Sequence, residues 1–306
     1  MEVYLPIAGM SVNVFLILGM GVLVGFLSGL FGVGGGFLLT PLLIMIGIPP
    51  AVAAASDSNQ IVASSSSGAY SHKRMGNVDM RMGIVILIGG IAGSTIGVQV
   101  VKILRQMGNF DFVLKAVYVV VLGGIGSYML IESLKAMKGT MREEIEGESR
   151  FRRFVLRFPL KMEFKESGVK ISVIFPLIMG LIVGFLAALM GVGGGFIMVP
   201  AMIYVLGMPT IKAIGTDLFQ IVFTSISATV QQAIFNHTVD VGLAMLLLFG
   251  STIGAQFGVR AGRRLKGKQL RILLAAIVLI VMMKMLYELI AMPSNLIGLT
   301  TGESGH

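Results

Sequence analysis

Several residue types that carry chemistry are scarce in this chain. Its 306 residues include no cysteine and only three histidines. Without cysteine there can be no disulfide, no thiolate metal ligand and no thiol redox chemistry. Three histidines are too few to suggest a multi-histidine metal centre, so we expect no bound metal and no cofactor.

Charged residues are scarce as well. Only 13% of the residues are charged and 55% are hydrophobic, whereas a soluble domain carries roughly 25% charged residues. The mean hydropathy is +0.90. These values indicate an integral membrane protein that contacts the lipid bilayer. The net charge of +9 does not indicate nucleic acid as a partner, because the basic residues lie in loops between apolar runs, as membrane topology requires.

A glycine-rich phrase occurs twice in apolar surroundings. Residues 32–37 read Gly-Val-Gly-Gly-Gly-Phe, residues 191–196 read the same, and a proline follows each phrase at the same distance, Pro41 and Pro200. Glycine clusters interrupt helices, and a helix interrupted inside a membrane leaves backbone groups that lipid cannot satisfy. Two such interruptions in corresponding positions are typical of transporters built from two repeats.

Apolar segments divide each half of the chain into five parts, given that a membrane span needs about 20 apolar residues. The segments are 11–32, 36–48, 50–71, 82–104 and 111–133, then 171–191, 195–208, 211–235, 241–261 and 269–291. Segments 36–48 and 195–208 are too short to span the membrane unaided. The predicted fold class is therefore all-α: a polytopic transmembrane helical bundle of two repeats with glycine-broken or re-entrant helices.

Composition also divides the chain into three regions: a first transmembrane repeat at 1–133, a charged linker at 134–170 and a second transmembrane repeat at 171–306. The linker carries ten Lys or Arg and six Glu, which predicts a cytoplasmic location. Partial alternation from Leu160 to Val169 is compatible with a short hairpin. Ladders of small residues predict close helix packing. The ladders are Gly21, Gly25 and Gly29; Gly89, Gly93 and Gly97; and Gly250, Gly254 and Gly258.

The distribution of positive charge orients the two repeats. Each half holds an odd number of crossings, so the second repeat is predicted to be inverted relative to the first. With the linker inside, loop 72–81 is inside with three basic residues, and its counterpart 232–240 is outside with none. Loop 260–271 carries six basic residues and its counterpart 102–111 carries two. Both differences follow the positive-inside rule, which predicts that both termini lie outside the plasma membrane.

Segments 50–71 and 211–235 are unusually polar for a membrane protein. Polar side chains at this depth face the protein interior or water. Their repeated positions predict contacts with a substrate, with hydrogen bonding between helices as the alternative. The predicted substrate contacts are Ser56, Asn59, Gln60, Thr216 and Gln220.

Asp57 and Asp217 occupy equivalent positions in these two segments. A carboxylate inside the membrane is costly, so it is paired, protonated or functional. Three roles are open: capping of a helix start, proton coupling, or contact with the substrate. We regard both aspartates as candidate coupling residues.

The glycine turns themselves predict a binding feature. A short helix that follows such a turn exposes free N–H groups and the positive end of its dipole, which is an anion site that needs no charged side chain. The alternatives are tight packing alone and cation coordination by freed carbonyls. The predicted substrate-binding glycines are Gly34, Gly35, Gly36, Gly193, Gly194 and Gly195.

Taken in order, these motifs resemble those of a known family. The paired Gly-x-Gly-Gly-Gly turns, the dipeptides Ser56-Asp57 and Thr216-Asp217, and the stretch Gly76-Asn77-Val78-Asp79-Met80-Arg81 resemble the TauE/SafE sulfite exporter family, also called the TSUP permeases. The resemblance covers about 11–133 and 171–291. It implies a permease that moves sulfur-containing anions such as sulfite, thiosulfate or organosulfonates, often outward.

The sequence therefore predicts a secondary transporter, not an enzyme, that exports small sulfur-containing anions by alternating access, with proton coupling as an option. A passive anion channel, or a carrier for another small anion such as a carboxylate, is the alternative. An intramembrane aspartyl protease would need two carboxylates that share a proton, but no Tyr-Asp or Gly-x-Gly-Asp phrase surrounds Asp57 or Asp217. A homodimer stays an open option.

Overall fold

The computed structural model describes residues 2–31, 36–137, 161–262 and 267–290. Within these ranges, each half has a short β-hairpin followed by five helices. The first half consists of β1 Glu2–Leu5, β2 Met10–Asn13, α1 Val14–Phe31, α2 Gly36–Met45, α3 Pro50–Arg74, α4 Met80–Gln106 and α5 Phe110–Met137. The second consists of β3 Lys161–Phe164, β4 Val169–Ser172, α6 Ile174–Met190, α7 Gly195–Tyr204, α8 Thr210–Gln231, α9 Val241–Gly262 and α10 Gly267–Ile290. A π-helical turn, Gln232–Asn236, extends α8.

The structure is mostly helical, as the sequence predicts, and each predicted apolar segment corresponds to one helix, although several helices extend a few residues beyond it. Within the described ranges, four helices are long and apolar enough to cross a membrane: α4, α5, α8 with its π turn, and α9. The apolar helices α1, α2 and α6 are shorter. These helices make the chain a multi-pass membrane protein, and α2 and α7 have only ten residues each, in line with the short segments predicted there.

The two hairpins add strands to the predicted helical bundle. In the first, Glu2 pairs with Asn13 and Leu5 with Met10; in the second, Lys161 pairs with Ser172. The second hairpin was predicted from alternation, but the first was not. An isolated two-stranded hairpin is marginal in water, so packing against the helices has to stabilise both, and a fully buried residue of each, Leu5 or Phe164, supplies such packing.

Glycine ladders join the halves along two long contacts. Helix α1 packs along α9, and α4 packs along α6, so the first helix of each half lies against the fourth helix of the other. A Cβ on Gly25 would collide with the backbone of Ser251, and a Cβ on Gly93 would collide with the backbone of Leu181. The predicted close packing of these ladders is confirmed, because any side chain there would push the helices apart.

The polar helices α3 and α8 contact each other between these ladders. The short helix α2 packs against α3, and α7 packs against α8. Phe37 of α2 and Phe196 of α7 stack with their ring centroids 4.8 Å apart. Each of these residues is the second of its helix, so the stack brings the first turns of α2 and α7 together beside the two polar helices.

Candidate functional site

Asp57 is fully buried within α3 and is held from one side. Its Oδ2 accepts a hydrogen bond from the Thr40 N–H at 3.2 Å and another from the Thr40 hydroxyl at 2.8 Å. Its Oδ1 has no hydrogen-bond partner among the described residues. Because Asp57 lies inside α3 and bonds to α2, it does not cap the start of its own helix.

Two neighbours of Asp57 on α3 are fully buried as well. The Ser56 hydroxyl and both polar atoms of the Gln60 amide lack a hydrogen-bond partner in the part of the chain that the structure describes. Most buried polar groups in folded proteins are paired, and leaving one unpaired costs about 1–3 kcal/mol. This stretch of α3 therefore presents donors and acceptors that a ligand can use. Asn59, the fourth polar residue here, is half-buried.

The equivalent residues of α8 are bonded to one another. The Gln220 amide N–H donates to Asp217 Oδ1 at 2.9 Å, and the Thr224 hydroxyl donates to Gln220 Oε1 at 3.0 Å. The Thr216 hydroxyl oxygen accepts a hydrogen bond from the Asp79 N–H at 3.0 Å. The second half thus uses the same residue types to close a chain of hydrogen bonds.

The turn before α7 is built from glycines in an unusual backbone conformation. Gly191, Gly193 and Gly194 have φ values of 78°, 68° and 88°, a left-handed region that disfavours any other residue. A Cβ on Gly193 would lie 2.9 Å from side-chain atoms of Ile61 and Ile221. The turn is therefore buried directly against α3 and α8.

The start of α2 lies next to this turn, at Gly36. A Cβ on Gly36 would lie 2.5 Å from Ile61 Cδ1 and 3.0 Å from Val192 Cα. On the other side of the second turn, a Cβ on Gly191 would collide with the backbone of Ala54. Ala54 and Ile61 flank the unpartnered residues of α3 in sequence, so this polar stretch lies beside the turn. Gly195 is buried as the first residue of α7, whereas the predicted site residues Gly34 and Gly35 lie outside the described residues.

Tyr118 of α5 links the site to the end of α6. Its buried hydroxyl donates a hydrogen bond at 2.8 Å to the carbonyl of Met190, the last residue of α6. The last carbonyls of a helix lack an intrahelical partner, so this bond satisfies one of them just before the glycine turn. The same hydroxyl lies near the Thr40 side chain, which places Tyr118 beside the partner of Asp57.

Two further aspartates tie each hairpin to the opposite half. Asp79 accepts from the Met82 N–H at 3.0 Å, which caps α4, and from the N–H and hydroxyl of Ser167 in the second hairpin. Asp240 accepts from the Leu243 N–H at the start of α9 and from the Ile7 N–H in the first hairpin. Each of these aspartates follows a valine, in the dipeptides at 78–79 and 239–240, and each holds one hairpin on the bundle.

Thr40 and Tyr118 are the two site residues that the sequence analysis missed. Thr40 lies in the short apolar helix α2, and only its position before Pro41 distinguishes it in the sequence. Tyr118 lies in α5, which has no counterpart motif in the other half. Both are recognised by their contacts with residues distant in sequence, which spacing does not reveal.

The arrangement can bind a small ligand but offers no metal centre within the described ranges. No group of three or more His, Asp or Glu side chains there could hold a metal ion. The buried hydroxyl and amide of Ser56 and Gln60, together with the first turns of α2 and α7, supply hydrogen-bond donors. Such a set suits an oxyanion.

Comparison with known families decides the class of protein. The family model described as "Sulfite exporter TauE/SafE" matches residues 17–285, which is most of the chain. The chain belongs to the TauE/SafE family. This TauE/SafE protein is accordingly a membrane transporter and not an enzyme.

Three TauE/SafE relatives, two from a bacterium and one from a plant, illustrate the similarity. "Probable membrane transporter protein YjnA" of Bacillus subtilis is 28% identical over 277 residues, which is 90% of this chain and 100% of the relative. YunE of the same organism, also called a probable membrane transporter protein, is 26% identical over 88% of this chain and 96% of its own length. "Sulfite exporter TauE/SafE family protein 1" of Arabidopsis thaliana is 36% identical over 102 residues, 33% of this chain and 23% of the relative. No solved structure matches the chain.

Proposed function

We propose that this TauE/SafE protein is a secondary transporter that exports small sulfur-containing anions, such as sulfite, thiosulfate or organosulfonates, by alternating access. Family membership carries the transporter part of the proposal. The observation that carries the binding site is the set of unpartnered polar atoms of Ser56 and Gln60 on α3, beside the glycine turn before α7. The name of the Arabidopsis relative, a sulfite exporter family protein, supports the choice of sulfur oxyanions.

The chemistry of this stretch favours an anion. The first N–H groups of α2 and α7 lack intrahelical acceptors, and the positive ends of the two helix dipoles add to their attraction for negative charge. The Ser56 hydroxyl and the Gln60 amide N–H can donate to the oxygens of the same anion. The site is walled by Ile61 and Ile221, so we propose that it admits only small ligands.

Helix α8 supports the site without binding the anion, in this proposal. Thr216, Asp217 and Gln220 are all engaged in hydrogen bonds within the protein. We assign to Thr216 the role of fixing α8 against the start of α4 through Asp79. Asp217 and Gln220 keep their polar atoms bonded within α8, so that α3 can move or be reached independently.

The directions of the helices support inverted repeats. A Cβ on Gly83 would contact Thr216 and Phe219, and a Cβ on Gly90, further along α4, would contact Gln220 and Thr224, further along α8. Helix α8 therefore runs parallel to α4. Since α4 turns back from α3 through the short connection 75–79, α8 runs opposite to its equivalent α3.

The directions of the outer helices α1 and α6 follow from their glycine contacts. Gly25 and Gly29 of α1 approach Ser251 and Ala255 of α9 in that order, so this pair is parallel. Gly89 and Gly93 of α4 approach Leu177 and Leu181 of α6 in that order, so the second pair is parallel as well. Helix α9 turns back from α8 just as α4 turns back from α3. Helices α1 and α6 are then opposed, which supports the inverted relation and alternating access by one repeat moving against the other.

We further propose the orientation that the charges indicate. The linker 134–170 faces the cytoplasm and both termini lie outside a plasma membrane, in agreement with the positive-inside rule. The partners are then the anion and the lipid bilayer, not nucleic acid, and a homodimer is compatible with this arrangement.

Counterflow of labelled sulfite in proteoliposomes tests the function. We expect saturable exchange that thiosulfate and small sulfonates inhibit. Exchange of acetate but of no sulfur oxyanion would favour the carboxylate carrier, and flux that does not saturate would favour the channel.

A substitution at the glycine turn tests the site. We expect Gly36→Ala to abolish exchange, because its Cβ would crowd Ile61 and Val192. The matched control is Gly124→Ala on α5, where a Cβ would meet nothing within 4 Å. If Gly36→Ala is folded and exchanges sulfite like Gly124→Ala, the anion does not bind at the glycine turns.

A further inference from the structure

We infer that the anion is transported together with a proton carried on Oδ1 of Asp57, and that Thr40 is the positioning residue that leaves this oxygen free. The inference rests on the proposed anion site on α3. It goes further by naming the coupling ion, the oxygen that carries it and a residue that controls it.

Thr40 fixes which carboxylate oxygen is available. Both of its donors, the backbone N–H and the hydroxyl, bond to Oδ2 of Asp57, at 3.2 and 2.8 Å. The carboxyl group is fully buried, and Oδ1 has no partner among the described residues. Oδ1 is thus the position where a proton can be added without breaking a hydrogen bond.

The proposed anion would bind next to this oxygen. Gln60 lies one helical turn after Asp57, on the same face of α3. Ser56 is the residue directly before Asp57. An anion at Ser56 and Gln60 would meet a second negative charge if Asp57 were ionised, and like charges that share a buried site disfavour each other. A protonated Asp57 removes this repulsion and can donate its O–H to the anion.

No described cation substitutes for the proton. The helices packed against α3 are α2, α5, α6, α8 and α9. Among the side chains that the structure describes, their titratable groups are Asp111, Lys115, Tyr118 and Tyr128 on α5, Lys212 and Asp217 on α8, and Arg260 on α9, with none on α2 or α6. Of these, Tyr118 interacts with Asp57. Lys115 pairs with Glu288, and Lys212 donates to the Gly76 carbonyl.

The second half holds its aspartate differently. Val199 follows the second glycine phrase at the position of Thr40, and its side chain has no donor, so it cannot hold an oxygen of Asp217 as the Thr40 hydroxyl holds Asp57. Asp217 Oδ1 accepts from Gln220 of its own helix. With Asp57 as the carrier, one proton moves with each anion, and for a singly charged anion the transport cycle moves no net charge. The proton comes from water on the loading side and returns to water on the release side.

Proteoliposomes loaded with methanesulfonate and a pH-sensitive dye test this inference. Methanesulfonate is chosen because it stays singly charged throughout the assay. We expect its efflux to make the lumen more alkaline. In a profile of the exchange rate against pH, we expect the rate on the alkaline side (the alkaline limb) to fall about tenfold per pH unit, as the protonated fraction of one carboxyl does.

Four variants separate the roles of the residues. Asp57→Asn should exchange the anion without moving protons and without the alkaline limb, while the matched control Asp217→Asn should keep both. Thr40→Val should move the limb to higher pH, because losing a donor favours the neutral carboxyl, and Thr40→Ser should restore it.

The outcomes distinguish this inference from the proposed function. Three results would overturn the inference and leave the proposed function standing. They are proton movement by Asp57→Asn, loss of proton movement in Asp217→Asn, and an alkaline limb of the pH profile that Thr40→Val does not shift. Wild-type flux of methanesulfonate without protons would do the same. If the wild-type protein carries neither methanesulfonate nor sulfite, the proposed function is wrong and this inference fails with it.

Discussion

The third helices of the two halves, α3 and α8, carry the same Asp-x-x-Gln spacing in a polar stretch, yet they use it differently. In α8, Gln220 bonds to Asp217 and Thr224, and Thr216 bonds to the backbone of Asp79. In α3, Asp57 bonds to Thr40, while Ser56 and Gln60 have no partner among the described residues.

The difference indicates a division of labour between duplicated halves. The features that hold the bundle together occur in both: glycine ladders, capped fourth helices and hairpins held by an aspartate. The two polar helices differ in which atoms are left without a partner among the described residues: those of Ser56 and Gln60 on α3, and those of Ser225, Thr229 and Gln231 further along α8. A repeat can therefore preserve the scaffold in both halves while the equivalent Asp-x-x-Gln residues are bonded differently.

The largest effect is expected where the halves are most alike. Gly93→Ala and Gly254→Ala should both prevent folding, because a Cβ would strike the backbone oxygen of Leu181 or of Val22, and overpacking costs about 1–3 kcal/mol or more. Yield of monodisperse protein in detergent measures this, with Gly124→Ala as the control. A normal yield for only one of the two variants would show that the two ladders are not equally needed for folding.

The next effect distinguishes the two hairpin contacts. Asp79→Ala loses three hydrogen bonds and Asp240→Ala two, at about 1.5–3 kcal/mol for each bond to a charged group. Thermal unfolding should therefore give Asp79→Ala the lower Tm. Ser167→Ala, which keeps one of its bonds to Asp79, should lose less than either; a Tm below that of Asp79→Ala would contradict this ranking.

Substituting the two glutamines should have opposite effects on stability. Gln220→Leu leaves Asp217 Oδ1 without its partner and should cost about 1–3 kcal/mol. Gln60→Leu removes an amide that is buried and unpartnered, so it should leave the free energy of unfolding unchanged or raise it. Denaturation of the two purified variants under the same conditions checks the sign, and equal losses would mean that both glutamines are bonded in the folded protein.

The smallest effect concerns the link between α5 and α6. Tyr118→Phe removes the hydrogen bond to the Met190 carbonyl and should cost about 0.5–1.5 kcal/mol. Tyr287→Phe is the matched control, since Tyr287 is exposed. A Tm for Tyr118→Phe equal to that of the control would show that the bond contributes nothing measurable.

Much of this fold can be predicted from the sequence because hydrophobic length and glycine spacing act locally. The helices, the short α2 and α7 and the close-packed ladders all follow from such patterns. The hairpin Glu2–Asn13 does not, because four-residue strands are stabilised by packing against distant helices rather than by their own composition.

The site is only partly predictable for the same reason. Repetition draws attention to Ser56, Asp57 and Gln60, but it equally draws attention to Thr216 and Gln220. Which set is satisfied depends on partners far away in sequence, such as Asp79. Thr40 and Tyr118 carry no repeated signal, so contacts in space are needed to find them.

Counterflow of labelled sulfite with Gln60→Leu and Gln220→Leu in parallel tests the central claim most directly. The account predicts saturable exchange in the wild-type protein, its loss in a folded Gln60→Leu variant, and its retention in any folded fraction of Gln220→Leu. Wild-type rates of sulfite exchange in Gln60→Leu would contradict an anion site on α3.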